Sequence, residues 1–103
     1  MQVIEEIRKT VLADCNIVIV VPNEQKSKLW RLATQMGARC YDEVELNEVK
    51  VREFVTHVVT TDAALEVSKW AIKQHKYLVD PVWIVTAHFF WIKQREETAP
   101  VRQ

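Results

Sequence analysis

The stretch CNIVIVVP, from Cys15 to Pro22, limits the folds open to this chain more than any other. Ile17 to Val21 is an unbroken run of β-branched residues, closed by a proline. It is too short and too branched for a helix, and it lacks the apolar–polar alternation of a half-solvated strand. A strand of this kind is buried on both faces, as in a parallel sheet covered by helices.

The rest of the chain supplies the matching pattern. Val3, Ile4, Ile7 and Val11 form one stripe of an amphipathic helix over Gln2 to Leu12, with Glu5, Glu6, Arg8 and Lys9 on the other side. After Pro22, Asn23 or Ser27 can cap a second helix, on which Leu29, Leu32, Ala33 and Met36 share one face. Gly37 sits just past its last turn, where a left-handed C-cap is easiest for glycine. ARCYDEV then reads as a second strand. From Val44 to Val55, charges separate Leu46, Val49, Val51 and Phe54, and the loose alternation predicts an extra edge ribbon. VTHVVTTD is a third strand, with Thr61 or Asp62 capping the next helix. That helix is expected to turn Ala64, Val67, Ser68, Ala71, Ile72 and His75 inward and Glu66, Lys69 and Lys73 outward. YLVD is a fourth strand. Asp80 followed by Pro81 marks a helix start, a carboxylate for the free amides and then a proline at the first helical position. The tail REETAPVRQ is polar and is expected to fray.

The order is thus a helix, then β-α-β-β-α-β-α, which implies an α/β domain with a mainly parallel sheet and helices on both faces. The division expected is an N-terminal helix over residues 1–12 packing on the domain, the domain itself over 13–95, and a frayed tail over 96–103.

The last helix is unusual in having almost no polar face. On a helical wheel Trp83, Thr86, Ala87 and Phe90 fall on one side, assigned to the sheet, with Ile84 and Trp91 at the borders. Val85, His88, Phe89 and Ile92 project the other way and are the candidate partner-binding residues. Two occupants suit that face: the Val3/Ile4/Ile7/Val11 stripe of the same molecule, or another protein, including a second copy.

Composition narrows the function. One domain's worth of residues, 103, carries 49% hydrophobic and 27% charged residues, as a folded soluble domain does. Fourteen basic and fourteen acidic residues cancel, which argues against binding nucleic acid through its phosphates. No apolar run reaches membrane-spanning length, and the charged N-terminal stretch is unlike a secretory signal. Cys15 and Cys40 lie far apart and read as small buried residues of a reducing compartment. A Cys15/Cys40/His57 metal site would lack its fourth ligand. No cofactor is expected. His57, with only Asp62 and Cys40 as foreseeable neighbours, His75 on a core face and His88 among aromatics each read as structural. No set of nucleophile, base and orienting group can be assembled, so no enzyme is expected.

MGARC after the second helix, THVV in the third strand, and YLVDPVWIVTA at the start of the last helix together resemble a BRCT domain. The resemblance covers roughly Val11 to Lys93. Within that family, VTHVV, KWAIKQHKYLVDPVW and HFFWIK are most similar to the C-terminal BRCT domain of RNA polymerase II C-terminal-domain phosphatases. It implies a three-layer fold around a four-stranded sheet, with Trp83 anchoring the core and Gly37 making a tight turn into the second strand. It also implies a nuclear interaction module, in transcription-linked phosphatase targeting or the DNA-damage response. Protein or peptide partners are expected, including phosphoproteins and a second BRCT domain or copy.

Phosphopeptide-binding members of that family use a hydroxyl residue at the end of the first strand, a glycine amide beside it, and a lysine near the next-but-one helix start. The matching positions here are Val20-Val21-Pro22 and Thr60-Thr61-Asp62. They offer no glycine and, at Pro22, no amide; Lys69 comes two turns late, and Asp62 would repel a phosphate. Thr60 and Thr61 serve as caps or as contacts in an altered pocket, together with Lys69. Lys26, Lys28 and Arg31 on the second helix form either a solvated basic face or a contact for phosphate or acidic peptide. A phosphopeptide reader and a DNA-end binder are therefore the rival readings.

Overall fold

The structure is a computed structural model and describes residues 10–101. The expected helix over 1–12 lies for its greater part outside them; Thr10 to Asp14 form a turn. Four strands follow: β1 (Asn16–Val20), β2 (Arg39–Tyr41), β3 (His57–Thr60) and β4 (Tyr77–Val79). They form one sheet in the order β2-β1-β3-β4, with every neighbouring pair parallel. Ile17 sits opposite Cys40 on one side and His57 on the other. The helices are α1 (Asn23–Gln35), α2 (Val49–Phe54), α3 (Glu66–Lys73) and α4 (Val82–Phe90).

Residues of β1 alternate between two cores. Ile17 and Ile19 join Val59 and Val79 beneath Leu29 and Ala33 of α1, Met36 just past its end, and Trp83, Ile84 and Ala87 of α4. Val18 and Val58 face the other way, against Val67 and Ala71 of α3, with Leu46, Val51 and Trp70 packed at the margin. This is why the β1 run lacks alternation: both faces of the strand are interior. Gly37 has φ 91°, a region open to glycine without a Cβ penalty, and its amide donates to the Thr34 carbonyl at 3.0 Å. The chain thereby leaves α1 directly into β2.

Four expectations need correcting. Residues 43–54 are not an edge ribbon. Asp42 Oδ1 accepts the Glu43 amide at 2.8 Å and starts a short 3₁₀ turn, Glu43–Asn47, followed by α2. Only Leu46 and Val51 turn inward, while Val44, Val49 and Phe54 stay exposed, a spacing no strand can produce. The helix after β3 starts at Glu66, later than Thr61 or Asp62 would set it. Asp62 instead caps a turn, accepting the Ala64 amide at 2.8 Å, and its carbonyl accepts the Ser68 hydroxyl at 2.6 Å. Ala64 and Ile72 are exposed, and His75 lies past the helix end with φ 59°. In α4, Ile84, placed at the border, is fully buried, and Phe90, assigned to the sheet, is exposed. The inward ridge runs Trp83-Ile84-Ala87 and continues to half-buried Trp91, so Phe90 rolls out at the last turn.

The tail is the fourth correction. Glu96–Thr98 forms a 3₁₀ turn, Ala99 is buried, and Pro100 bridges antiparallel to Val79. The Asp80 amide donates to the Ala99 carbonyl at 2.8 Å, and Trp83 Nε1–H donates to the Gln94 carbonyl at 2.9 Å. Residues 94–100 are thus part of the packed domain. At the front of α4, Asp80 Oδ1 accepts the Val82 amide at 3.0 Å. Asp80→Ala is expected to cost about 1 kcal/mol, read as a lowered urea midpoint with unchanged slope.

Candidate interaction surface

In open parallel sheets, ligands seat beyond the carboxyl ends of strands where the strand order reverses. Here that point lies between β1 and β3, where Val20 is opposite Thr60. Val21 and Pro22 leave β1, and Pro22 has no amide to offer. Thr60 is buried, and its Oγ1 accepts the Asp62 amide at 3.4 Å. Thr61 is exposed and lines a separate cavity of about 320 Å³ with Asp80 and Pro100. Lys69 is exposed on α3, across the sheet from α1. The residues expected at a phosphate are therefore not brought together.

The basic cluster of α1 is partly engaged already. Lys26 Nζ donates to Asp42 Oδ1 at 2.9 Å, and that hydrogen bond holds the Asp42 carboxyl below the usual carboxylate range. Lys28 and Arg31 are exposed, and Lys26, Ser27, Trp30 and Arg31 line a shallow hollow of about 310 Å³.

The other candidate set lies on α4. Phe89 is 76% exposed and Ile92 63%, with Val85 and Phe90 also projecting into water. The Phe89 and Phe90 rings meet edge to face, their centroids 5.0 Å apart. His88 belongs elsewhere: its Nε2 bonds Gln35 Oε1 at 3.0 Å, and its ring lies on Trp91 with centroids 4.5 Å apart. It fastens α4 to the end of α1 instead of facing a partner. Phe90 takes its place in the patch, a residue the helical wheel assigned to the core. Covering side chains of this size is worth roughly 1.5–3 kcal/mol each, so a partner that buried this patch would gain from it.

One further groove was not foreseen. The 3₁₀ turn and α2 stand off from α3 to leave a cavity of about 650 Å³, floored by Leu46, Val67 and Trp70 and rimmed by Glu43, Glu66 and Arg52. The length of the 44–55 insertion was the only signal for it.

His57 has partners that lie far away in sequence. It is buried between Tyr77 and Trp83, with ring centroids 4.9 Å and 4.7 Å away. Its Nδ1 lies 2.7 Å from Thr56 Oγ1 and its Nε2 lies 2.7 Å from Glu96 Oε2. Burial lowers the His57 pKa, against the opposing pull of Glu96. For Glu96 burial is the largest single influence and works upward, but the hydrogen bond from His57, the backbone hydrogen bond and the nearby Lys93 charge together overcome it, and the carboxyl is held below its ordinary value. The pair is thus a neutral imidazole donating Nε2–H to a carboxylate. The Asn16 carbonyl already receives the Thr56 amide at 2.8 Å, which frees the Thr56 hydroxyl to donate to Nδ1. Every polar atom is satisfied, and the histidine serves to hold the tail on the sheet. The Cys15 thiol is pushed up to about 11 by burial, which makes it a poor nucleophile. Among the described residues no group of three or more His, Cys, Asp or Glu side chains is placed to hold a metal, and no helix is long and apolar enough to cross a membrane.

A four-stranded parallel sheet in the order β2-β1-β3-β4, with α1 and α4 on one face and α3 on the other, is the BRCT fold. The first BRCT domain of the DNA-repair protein XRCC1 superposes with a TM-score of 0.74 at 14% identity, over 96% of this chain and 72% of that one. The RNA polymerase II CTD phosphatase Fcp1 superposes with a TM-score of 0.75 at 18% identity, over 98% of this chain and 28% of that one. In sequence, the chain is 36% identical over 105 residues to the Arabidopsis thaliana RNA polymerase II C-terminal domain phosphatase-like 4. That match takes in 97% of this chain and 22% of the relative, so the chain spans about a fifth of the relative's length. No family model matches the chain.

Proposed function

We propose that this chain is the non-catalytic docking module of a nuclear RNA polymerase II C-terminal-domain phosphatase-like protein, and that it engages a protein partner in targeting that phosphatase. The exposed Phe89/Phe90/Ile92 end of α4 carries the reading. A rigid apolar surface is offered there, while the β1–β3 crevice offers Pro22 and a buried threonine where a phosphate would need donors. The likeness to phosphatases of the polymerase C-terminal domain supports the setting, and the chemistry would reside in the rest of such a polypeptide.

The test is kinetic. In the full-length polypeptide, Phe89→Ser/Ile92→Ser is expected to raise KM for the phosphorylated polymerase C-terminal domain about tenfold, the equivalent of about 1.4 kcal/mol of docking energy. An unchanged KM overturns the assignment of the α4 end.

A second reading has one observation in its favour, the Lys26/Ser27/Trp30/Arg31 hollow, which suits a phosphorylated or acidic peptide. Anisotropy titrations of this chain with polymerase C-terminal-domain peptides, phosphorylated and not, separate the two. Docking through α4 predicts affinities that agree within about threefold. A tenfold preference for the phosphorylated peptide, about 1.4 kcal/mol, establishes a phosphopeptide reader instead.

A further inference from the structure

Two hollows adjoin along α3, on the face of the sheet opposite α1 and α4. The first is the cavity of about 650 Å³ over Leu46, Val67 and Trp70. The second, of about 420 Å³, is lined by Val49, Gln74 and Lys76. Arg52 and Trp70 line both, so the two make one groove. Its α3 wall runs from Glu66 to Gln74, a helical rise of about 12 Å. That is the span of about four extended residues. The opposite wall is the 3₁₀ turn and α2.

The groove is apolar where nothing in the described fold covers it. Val44, 66% exposed, lines the first hollow and Val49, 59% exposed, lines the second. Its charges are uncommitted as well. Asp42 is held by Lys26 at 2.9 Å, whereas among the described residues the side chains of Glu43, Glu66 and Arg52 have no ion-pair partner. Glu43 on the 3₁₀ wall and Glu66 on the α3 wall therefore stand as free anions on either side of the apolar floor, opposed by the one cation of Arg52. An open groove of this length, with an apolar floor and an anion on each wall, suits an extended chain better than an enclosed small molecule.

We propose that this groove is a docking site separate from the α4 end, and that it takes a short extended segment of a partner protein in which an aliphatic side chain is flanked by arginine or lysine. The aliphatic group rests on Leu46 and Trp70, and the flanking cations pair with Glu43 and Glu66. The site lies across the sheet from Phe89 and Ile92 and stands whether or not that patch engages a partner.

The experiment titrates the whole chain with acetyl-Arg-Leu-Arg-amide, followed by amide and indole NMR shifts. Arginine on both sides of the leucine makes the probe indifferent to chain direction. The Trp70 indole N–H and the Leu46 and Val67 amides are expected to shift together, with half-saturation at about 1 mM or below. Acetyl-Arg-Ser-Arg-amide, which lacks the apolar anchor, is expected to bind about tenfold more weakly. Glu43→Gln/Glu66→Gln changes two exposed side chains and is expected to weaken the leucine probe about fivefold, with the rest of the spectrum unchanged. Equal affinity for acetyl-Arg-Leu-Arg-amide and acetyl-Glu-Leu-Glu-amide overturns the proposal, as does unchanged affinity in the glutamine variant. No shift at Trp70 with about 5 mM of the leucine probe overturns it too. A Trp70 shift that grows with protein concentration in the absence of peptide assigns the groove to a second copy of the chain and likewise overturns it.

Discussion

Trp83→Ala is expected to lower stability by about 3–5 kcal/mol, a large share of the ~5–15 kcal/mol that holds a domain of this size together. Trp83 is fully buried, and three separate pieces of the fold converge on it. Its indole stacks on His57 of β3 at 4.7 Å, its Nε1–H satisfies the Gln94 carbonyl at 2.9 Å, and it packs in the cluster shared by β1, α1 and α4. Truncation leaves a cavity under α4 and an unpaired carbonyl beside it. Trp83→Phe separates the two effects. It keeps most of the apolar volume but loses the N–H donor, and about 1–3 kcal/mol is expected for the stranded Gln94 carbonyl and the imperfect fit. Urea unfolding followed by far-ultraviolet circular dichroism reads both. A Trp83→Ala protein with a wild-type midpoint would show that the indole does not clamp α4, and the architecture described here would need another keystone.

What the sequence made legible follows from how local each cause is. The β1 run announces a strand buried on both faces because five successive β-branched residues leave the backbone no competing solution. Gly37 and Asp80-Pro81 announce turns because their backbone chemistry acts within two or three residues. The α4 face was only half legible. A helical wheel assigns faces as if the whole helix were equally covered, yet in the structure Ile84 is fully buried while Phe90 at the last turn is exposed. The 43–54 insertion was misread because charges at alternate positions resemble a ribbon, whereas Asp42 caps a 3₁₀ turn there that leads into α2. Least legible was His57. Its decisive partner, Glu96, lies 39 residues away in a segment whose composition reads as a solvated tail. Polar composition says that a segment can remain in water. It does not say that one of its carboxylates will reach back to a buried imidazole and bring Ala99 in with it. Of the candidate site, Val85, Phe89 and Ile92 were foreseen as outward, Phe90 was missed, and His88 was lost to Gln35.

That reach-back makes the domain acid-sensitive. The folded His57 pKa lies below its unfolded value of about 6.5 because burial opposes the charged ring. The unfolded chain therefore takes up the proton first, and the contribution of His57 is lost as pH falls below about 6.5. Glu96 is held below its ordinary value, so its contribution is present above about 4.3 and is lost as pH falls through its folded value. Both groups act in one direction. Stability is expected to be flat above pH 7, to decline from about pH 6.5 and to decline further below about pH 4.5. Protonation at Nδ1 need not break the hydrogen bonds, since the Thr56 hydroxyl can turn its proton to the Asn16 carbonyl 3.1 Å away; the penalty comes from charging a ring enclosed by Tyr77 and Trp83. Glu96→Ala removes the acceptor and strands the Nε2–H in the core, at a cost of about 1–3 kcal/mol at pH 7.5. It also takes away the carboxylate that supports the imidazolium, so the His57 limb between pH 6.5 and 5.5 becomes steeper in the variant while its own carboxyl limb disappears. Urea midpoints at pH 7.5, 5.5 and 4.0 for the wild type and Glu96→Ala measure each of these terms. A wild-type midpoint that does not move between pH 7.5 and 5.5 would mean that His57 is not the neutral, enclosed ring on which the ordering of residues 94–100 depends.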